Sequence, residues 1–333
     1  MKRSPAVASP LAAFNRRWGA RREIFRRYAA PPWWAPGLVL DAAIRARYER
    51  YLPVGEYLRD LRALALDVLP VPAWLPRLLQ PPRAGCCGSA GHADFSSLAD
   101  LWAILPPALA GQVTLTDTNL LPLLCALADP PRFGADFGRY PEQLQAIAEF
   151  AGRRGRGNSD PGAAPLRILD LGCGTGQGTL EMAATVAGAS DRSVLALGVT
   201  LEPLEAWMAT ARRLPHDPAR EKRLAEYALP AAATCHFLAG NVTAVPVRGR
   251  FDLITANGLV GGRFLRSPQA LSLFLSDVER LAASEGLVSF ASHFHEGEMA
   301  GVALATDVAR RRGWQVTSDA RLLWLRKSQT CSR

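Results

Sequence analysis

Four apolar residues, Leu166, Ile168, Leu169 and Leu171, fall within a run of six. Such a short, nearly continuous apolar run predicts a strand buried on both faces, as at the centre of a parallel sheet. It stops at Gly172, and good helix formers resume from Gln177 to Ala187, so the local order is strand, glycine loop, helix. The alternation continues downstream. Strands are predicted at 193–200, about 234–238, 251–256 and 286–292, with helices at about 203–213, 268–283 and up to about 312. The last two strands, 314–317 and 321–326, are separated by only Ser318, Asp319 and Ala320. That gap is too short for a helical crossover, so they are expected to pair antiparallel.

Upstream the period changes. Leu40, Ile44, Tyr48 and Tyr51, then Leu61 and Val68 beyond Pro53, recur at helical spacing and read as core stripes. Further helices are expected at about 97–110, at 118–127 and from Pro141, where proline suits a first turn. The predicted domains are a basic arm over 1–30, a mostly helical domain over 31–152, a polar, glycine-rich linker over 153–165 and an α/β domain over 166–330. Residues 31–37, with three prolines and a glycine, break the arm from the helical stripes after it. The arm reads as a basic helix on an acidic partner or membrane surface, a transit peptide, or a helix capping the next domain.

Composition narrows the function classes. Hydrophobic residues make up 49% and charged residues 21% of 333, ordinary for a globular chain. No apolar run reaches the ~20 residues that span a bilayer. Six cysteines without Cys-x-x-Cys spacing predict a reduced, cytoplasmic setting and no metal site. The net charge of +9 is concentrated: residues 1–27 hold eight basic side chains against Glu23 alone. The remainder is nearly neutral, so no basic face for nucleic acid is implied.

The glycines at 172, 174, 176 and 178 do not have the Gly-x-Gly-x-x-Gly spacing that seats a dinucleotide pyrophosphate. Asp170 lies two residues before the first, where an acid would repel phosphate and suit an ammonium group. Asp170-Leu-Gly-Cys-Gly-Thr-Gly176 resembles the first motif of the class I, seven-strand S-adenosylmethionine-dependent methyltransferases. The resemblance covers roughly residues 160–330. It implies a doubly wound, mostly parallel, seven-stranded Rossmann-like sheet with an antiparallel C-terminal hairpin, and S-adenosylmethionine as cofactor.

On that resemblance Asp170 and the backbone of Gly172, Cys173, Gly174 and Gly176 take the methionine end. The family places a ribose-binding acid at the end of the second strand. Here Thr200 stands at that position and Glu202 lies two residues on, on the same strand face if the strand extends. Glu202 then either holds the ribose diol or is a solvated acid at a helix N-terminus. Asn241 and Val242, after the third strand, correspond to the adenine-reading segment. Asn257, after the fourth, would line the methyl-transfer mouth; either asparagine also suits a plain turn. His293 and His295, past the fifth strand, are candidate bases for a hydroxyl or amine acceptor, whereas a carboxylate needs none.

A second resemblance concerns the acceptor. Phe137-Gly-Arg-Tyr-Pro141, Gly240-Asn241-Val242 and Phe251-Asp-Leu-Ile-Thr-Ala-Asn257 resemble pieces of the chemotaxis-receptor glutamate methyltransferases. It implies that Arg139 reaches the cofactor or a protein carboxylate, a task suited to its fixed charge and planar fork. Ala135 and Gly138 stand where that motif has a threonine and an aromatic. The alternatives are a small-molecule O- or N-methyltransferase and a non-catalytic scaffold that binds the cofactor.

Overall fold

The computed structural model describes residues 9–29, 54–69, 75, 114–129, 136–155, 163–260, 265, 267–291, 299–318 and 322–327. The helices expected within 39–51 and 97–110, the break at 31–37, and His293 and His295 lie outside them. The described residues fall into two compact units. One comprises residues up to 129 together with 214–221, and the other comprises 136–213 and 222–327.

In the first unit, α1 (Pro10–Ala29), α2 (Val54–Val68) and α3 (Asp117–Ala128) are helical. The arginine-rich segment is α1, and its apolar side lies on α2. Phe14 and Trp18 are buried against Tyr57, with ring centroids 5.7 and 5.3 Å away. Trp18 Nε1 donates to Asp60 (2.8 Å), and Arg17 pairs with both Glu56 (2.6 Å) and Asp60 (2.7 Å). Beyond α3, buried Asp129 accepts from Arg220 (3.0 Å) and lies 3.3 Å from His216 Nε2.

The remaining elements are, in order, α4 (Pro141–Gly155), β1 (Leu166–Leu171), α5 (Gln177–Ala189), β2 (Val194–Thr200), α6 (Pro203–Ala211), α7 (Pro218–Glu226), β3 (Ala233–Ala239), β4 (Phe251–Thr255), α8 (Pro268–Leu281), β5 (Ala282–Ala291), α9 (Met299–Arg311), β6 (Trp314–Ser318) and β7 (Leu322–Lys327). Seven strands form one sheet in the order β3-β2-β1-β4-β5-β7-β6. β1 to β5 run parallel, and β7 is antiparallel to both β5 and β6. The expected hairpin is therefore present, with the later strand of the pair on the inside.

β1 is buried along almost its whole length, as its apolar run predicts. Leu169 and Leu171 point to one face and pack with Ile254, Val288 and the apolar stripes of α8 (Leu271, Phe274, Leu275, Val278) and α9 (Val302, Ala305, Val308, Ala309). Leu166 and Ile168 point to the other, against Ile147 and Ala151 of α4 and Met182, Ala183 and Val186 of α5. Strand order reverses between β1 and β4, so the crevice at their carboxyl ends is where an open sheet of this kind binds ligands.

Three features depart from the sequence reading. The polar stretch after α6 contains a nine-residue helix, α7, begun by Pro218. Its apolar content is too thin to give a periodic signal, although Leu224 is fully buried. β5 begins at Ala282, directly after α8, and its register against β4 shifts between Phe251 and Leu253. The stretch expected as a linker opens as the last turn of α4, which runs to Gly155.

Candidate functional site

Asp170, the last residue but one of β1, is almost fully buried, and both its carboxylate oxygens have hydroxyl partners. Oδ2 accepts from Thr179 of α5 (2.6 Å) and Oδ1 from Thr255 at the end of β4 (2.9 Å). Burial pushes its pKa above the ordinary aspartate value, and the two hydroxyls act in the opposite sense. Neither threonine has a sequence signal of its own, since each matters only through its contact with Asp170.

The glycine loop turns directly above this carboxylate. Gly172 has φ +80°, and a Cβ there would lie 2.7 Å from Leu259. Only glycine satisfies both demands. The Gly172 and Cys173 N–H groups both donate to the Val199 carbonyl (2.7 and 3.1 Å), so the loop is fastened to β2. Gly174, at φ +53°, faces open space, with nothing within 4 Å of where a Cβ would stand. The buried Cys173 thiol is held protonated, first by burial and then by the charges of Asp170 and Glu205. Behind the loop, Gln177 Oε1 accepts from Thr175 (2.7 Å), while its buried Nε2 has no partner among the described residues.

At the end of β2 the Thr200 hydroxyl donates to Glu205. Glu202 is buried and caps α6, Oε1 accepting from the Leu204 N–H (3.2 Å). It is a helix N-terminal acid, though not a solvated one. Asn241 is exposed in a tight turn, its Oδ1 accepting from the Thr243 N–H and hydroxyl (both 3.0 Å). Val242 beside it is half-buried.

Asn257 is joined to α4 by a reciprocal pair of amide bonds. Its Nδ2 donates to Gln143 Oε1 (2.7 Å) and its Oδ1 accepts from Gln143 Nε2 (3.0 Å). Oδ1 also accepts from the Ala291 N–H (2.9 Å), and Gln143 Nε2 donates to Ser289 (2.8 Å). The first turn of α4 is thereby fixed to the carboxyl ends of β4 and β5.

The turn before α4 has further anchors: Asp136 pairs with Arg223, Phe137 stacks on Tyr227 (4.4 Å), and the Gly138 N–H donates to Glu181 (2.7 Å). Burial raises the Glu181 pKa, and the Gly138 bond opposes it. Arg139 lies over the Tyr140 ring (5.4 Å). Burial raises the Tyr140 pKa, with Arg139 lowering and Asp170 raising it further, so this turn lies within electrostatic reach of the buried acid.

Strand order, the antiparallel β7 and a glycine loop at the switch point together decide the architecture. The chain has the class I methyltransferase fold.

No family model and no curated protein matches the sequence. Solved structures do match by shape. A TehB-like S-adenosylmethionine-dependent methyltransferase from Corynebacterium glutamicum is 18% identical, with 57% of this chain and 96% of that one covered and a TM-score of 0.34. Magnesium protoporphyrin IX methyltransferase from Synechocystis, with bound S-adenosylhomocysteine, is 13% identical over 69% and 94%, TM-score 0.36. The N-methyltransferase NodS from Bradyrhizobium japonicum is 14% identical over 57% and 97%, TM-score 0.37. At such identities and scores none of them says what this chain acts on. Among the described residues, no helix is long and apolar enough to cross a membrane.

Gln143→Ala should destabilise the protein by about 2–3 kcal/mol, because it takes from the buried Ser289 hydroxyl and from Asn257 Nδ2 the hydrogen bonds that Gln143 makes to them. A urea midpoint within error of wild type would show the amide pair to be dispensable.

Asp170 also makes stability depend on pH. Its raised pKa means that the folded chain holds the proton longer than the unfolded one. Its contribution to stability is therefore full below the ordinary carboxylate value and is lost as pH rises through the folded value. Asp170→Asn removes that loss, so the variant's Tm minus the wild-type Tm should grow more positive from about pH 3 to about pH 7. A difference that stays flat would contradict it.

Proposed function

We propose that this chain is an S-adenosylmethionine-dependent methyltransferase working at the carboxyl ends of β1, β2 and β4. The observation that carries this reading is the glycine loop, turned open at Gly174 above a buried acid at the sheet's switch point. The residues present fit the cofactor. The open side of Gly174 lets a ligand approach the backbone. The unpartnered Gln177 Nε2 is a donor suited to a carboxylate. Asp170 accepts one hydroxyl at each oxygen, which leaves acceptor capacity for an ammonium group.

Glu202, buried just past the end of β2, would hold the ribose diol through its carboxylate. Asn241, whose Oδ1 is engaged in its turn, would present its NH2 group to an adenine ring nitrogen, with the Val242 N–H as a second donor. When bound, the cofactor supplies a methyl group already activated on a sulfonium. What remains for the protein is to hold acceptor and methyl in line, and such positioning supplies most of the acceleration. Asn257, with Gln143, fixes the mouth of the site for that purpose.

For the acceptor, a protein carboxylate is the reading one observation favours. Arg139 is half-buried beside the site and, among the described residues, has no carboxylate paired with it. A guanidinium so placed can hold an incoming carboxylate by two parallel hydrogen bonds. The product would then be a glutamate-type methyl ester, and no general base is required. A small-molecule hydroxyl or amine is the alternative acceptor, with His293 or His295 as its base.

Calorimetry with S-adenosylhomocysteine tests the first claim. The wild-type protein should bind it, and Gly174→Val should abolish binding, because a β-branched side chain at φ +53° is strained and fills the open approach. Binding that survives the substitution would reduce the loop to a structural turn.

Transfer of labelled methyl from the cofactor tests the second. Label on protein that dilute alkali releases as methanol, and that Arg139→Ala prevents, is expected. Base-stable label with activity intact in Arg139→Ala would move the acceptor to a hydroxyl or amine. Binding without any transfer would favour a scaffold.

A further inference from the structure

A hollow of about 310 Å³ opens between α5, α6 and the edge strand β3. Small-ligand sites begin at about 300 Å³. Its apolar walls are Leu180, Ala209, Leu229 and Phe237, and Arg212 supplies a permanent cation. No acid lines it; the remaining lining residues are Thr210, Cys235 and His236. We propose that this hollow is a second binding site, for a small molecule with an apolar body and one carboxylate held by Arg212.

Several observations converge on Arg212. It is the residue that stops α6, in a left-handed conformation at φ +52°, the one non-glycine residue with positive φ among those described. A conformation so uncommon outside glycine fixes where the guanidinium leaves the backbone. One of its nitrogens donates to the Tyr227 carbonyl (2.8 Å), which steadies the fork while other N–H groups remain for a ligand. Burial pushes the neighbouring Cys235 thiol up to about 11, against the opposing charge of Arg212, so at neutral pH the thiol does not neutralise the guanidinium.

The Phe237 wall is equally specified. The Phe237 ring lies where a Cβ on Gly176 or Gly198 would come within 2.8 or 2.7 Å of it, so both glycines are required for the ring to take this position. Apolar walls together with a fixed cation and no acid select an amphipathic monoanion over a neutral or cationic ligand.

Cys235 provides the readout. In the full-length protein, its alkylation by iodoacetamide, measured by peptide-resolved mass spectrometry, should be slowed by 3-phenylpropionate at millimolar concentration. The neutral isostere 3-phenylpropionamide should need about tenfold more, the loss of one charge-assisted contact. Arg212→Gln should bring acid and amide to the same potency. Because the acid–amide comparison is made on wild-type protein, the test does not depend on the variant folding. Equal protection by acid and amide, or none by either, would overturn the proposal. So would equal protection by S-adenosylhomocysteine, since the hollow would then belong to the cofactor's seat.

Discussion

The site rests on one buried carboxylate. Asp170 sits in the middle of the sheet with a pKa raised by burial, a costly place for a charge unless its oxygens are hydrogen-bonded. Thr179 and Thr255 meet that demand from two other elements, the first turn of α5 and the end of β4. Satisfying one acid therefore aligns three elements at the point where strand order reverses. The same geometry leaves the acid just under the glycine loop, where its residual acceptor capacity is usable. A structural requirement and a binding opportunity coincide in one side chain.

The loop above it is constrained from both sides. Leu259 presses on Gly172 from the turn after β4, and Val199 of β2 accepts two loop N–H groups. What stays open is Gly174, so a ligand's approach is set by what the neighbouring elements leave uncovered. The Gln143–Asn257–Ser289 bonds extend this control to the first turn of α4, directly after Arg139 and Tyr140.

The first unit is assembled on another principle. Its described helices meet through aromatic packing of Phe14, Trp18 and Tyr57, with Arg17 bridging Glu56 and Asp60 at the surface. Exposed pairs of this kind contribute little. The buried Trp18, which also donates to Asp60, has more to do with holding α1. Part of the positive charge that stands out in the sequence is therefore neutralised within the chain.

The sequence by itself determined the parallel core, the glycine loop and the C-terminal hairpin. Each is written in local pattern: Leu166 to Leu171 without a polar face, glycines at alternate positions, and three residues between the last two strands. It also placed Asp170, Glu202, Asn241 and Asn257 at strand ends, because position along a strand is local information. It did not say what those side chains do. Gln143 and Asn257 are 114 residues apart, and nothing periodic links them. Thr179 and Thr255 look like any threonines until folding brings them to Asp170. Glu202 caps a helix and Asn241 closes a turn because folding brings backbone N–H groups within reach of their side-chain oxygens. Helix α7 was hidden by its polarity, and the hollow at Arg212 exists only where α5, α6 and β3 meet. Tertiary structure decided these, since hydrogen-bond partners and cavities are set by distances in space that sequence separation does not encode.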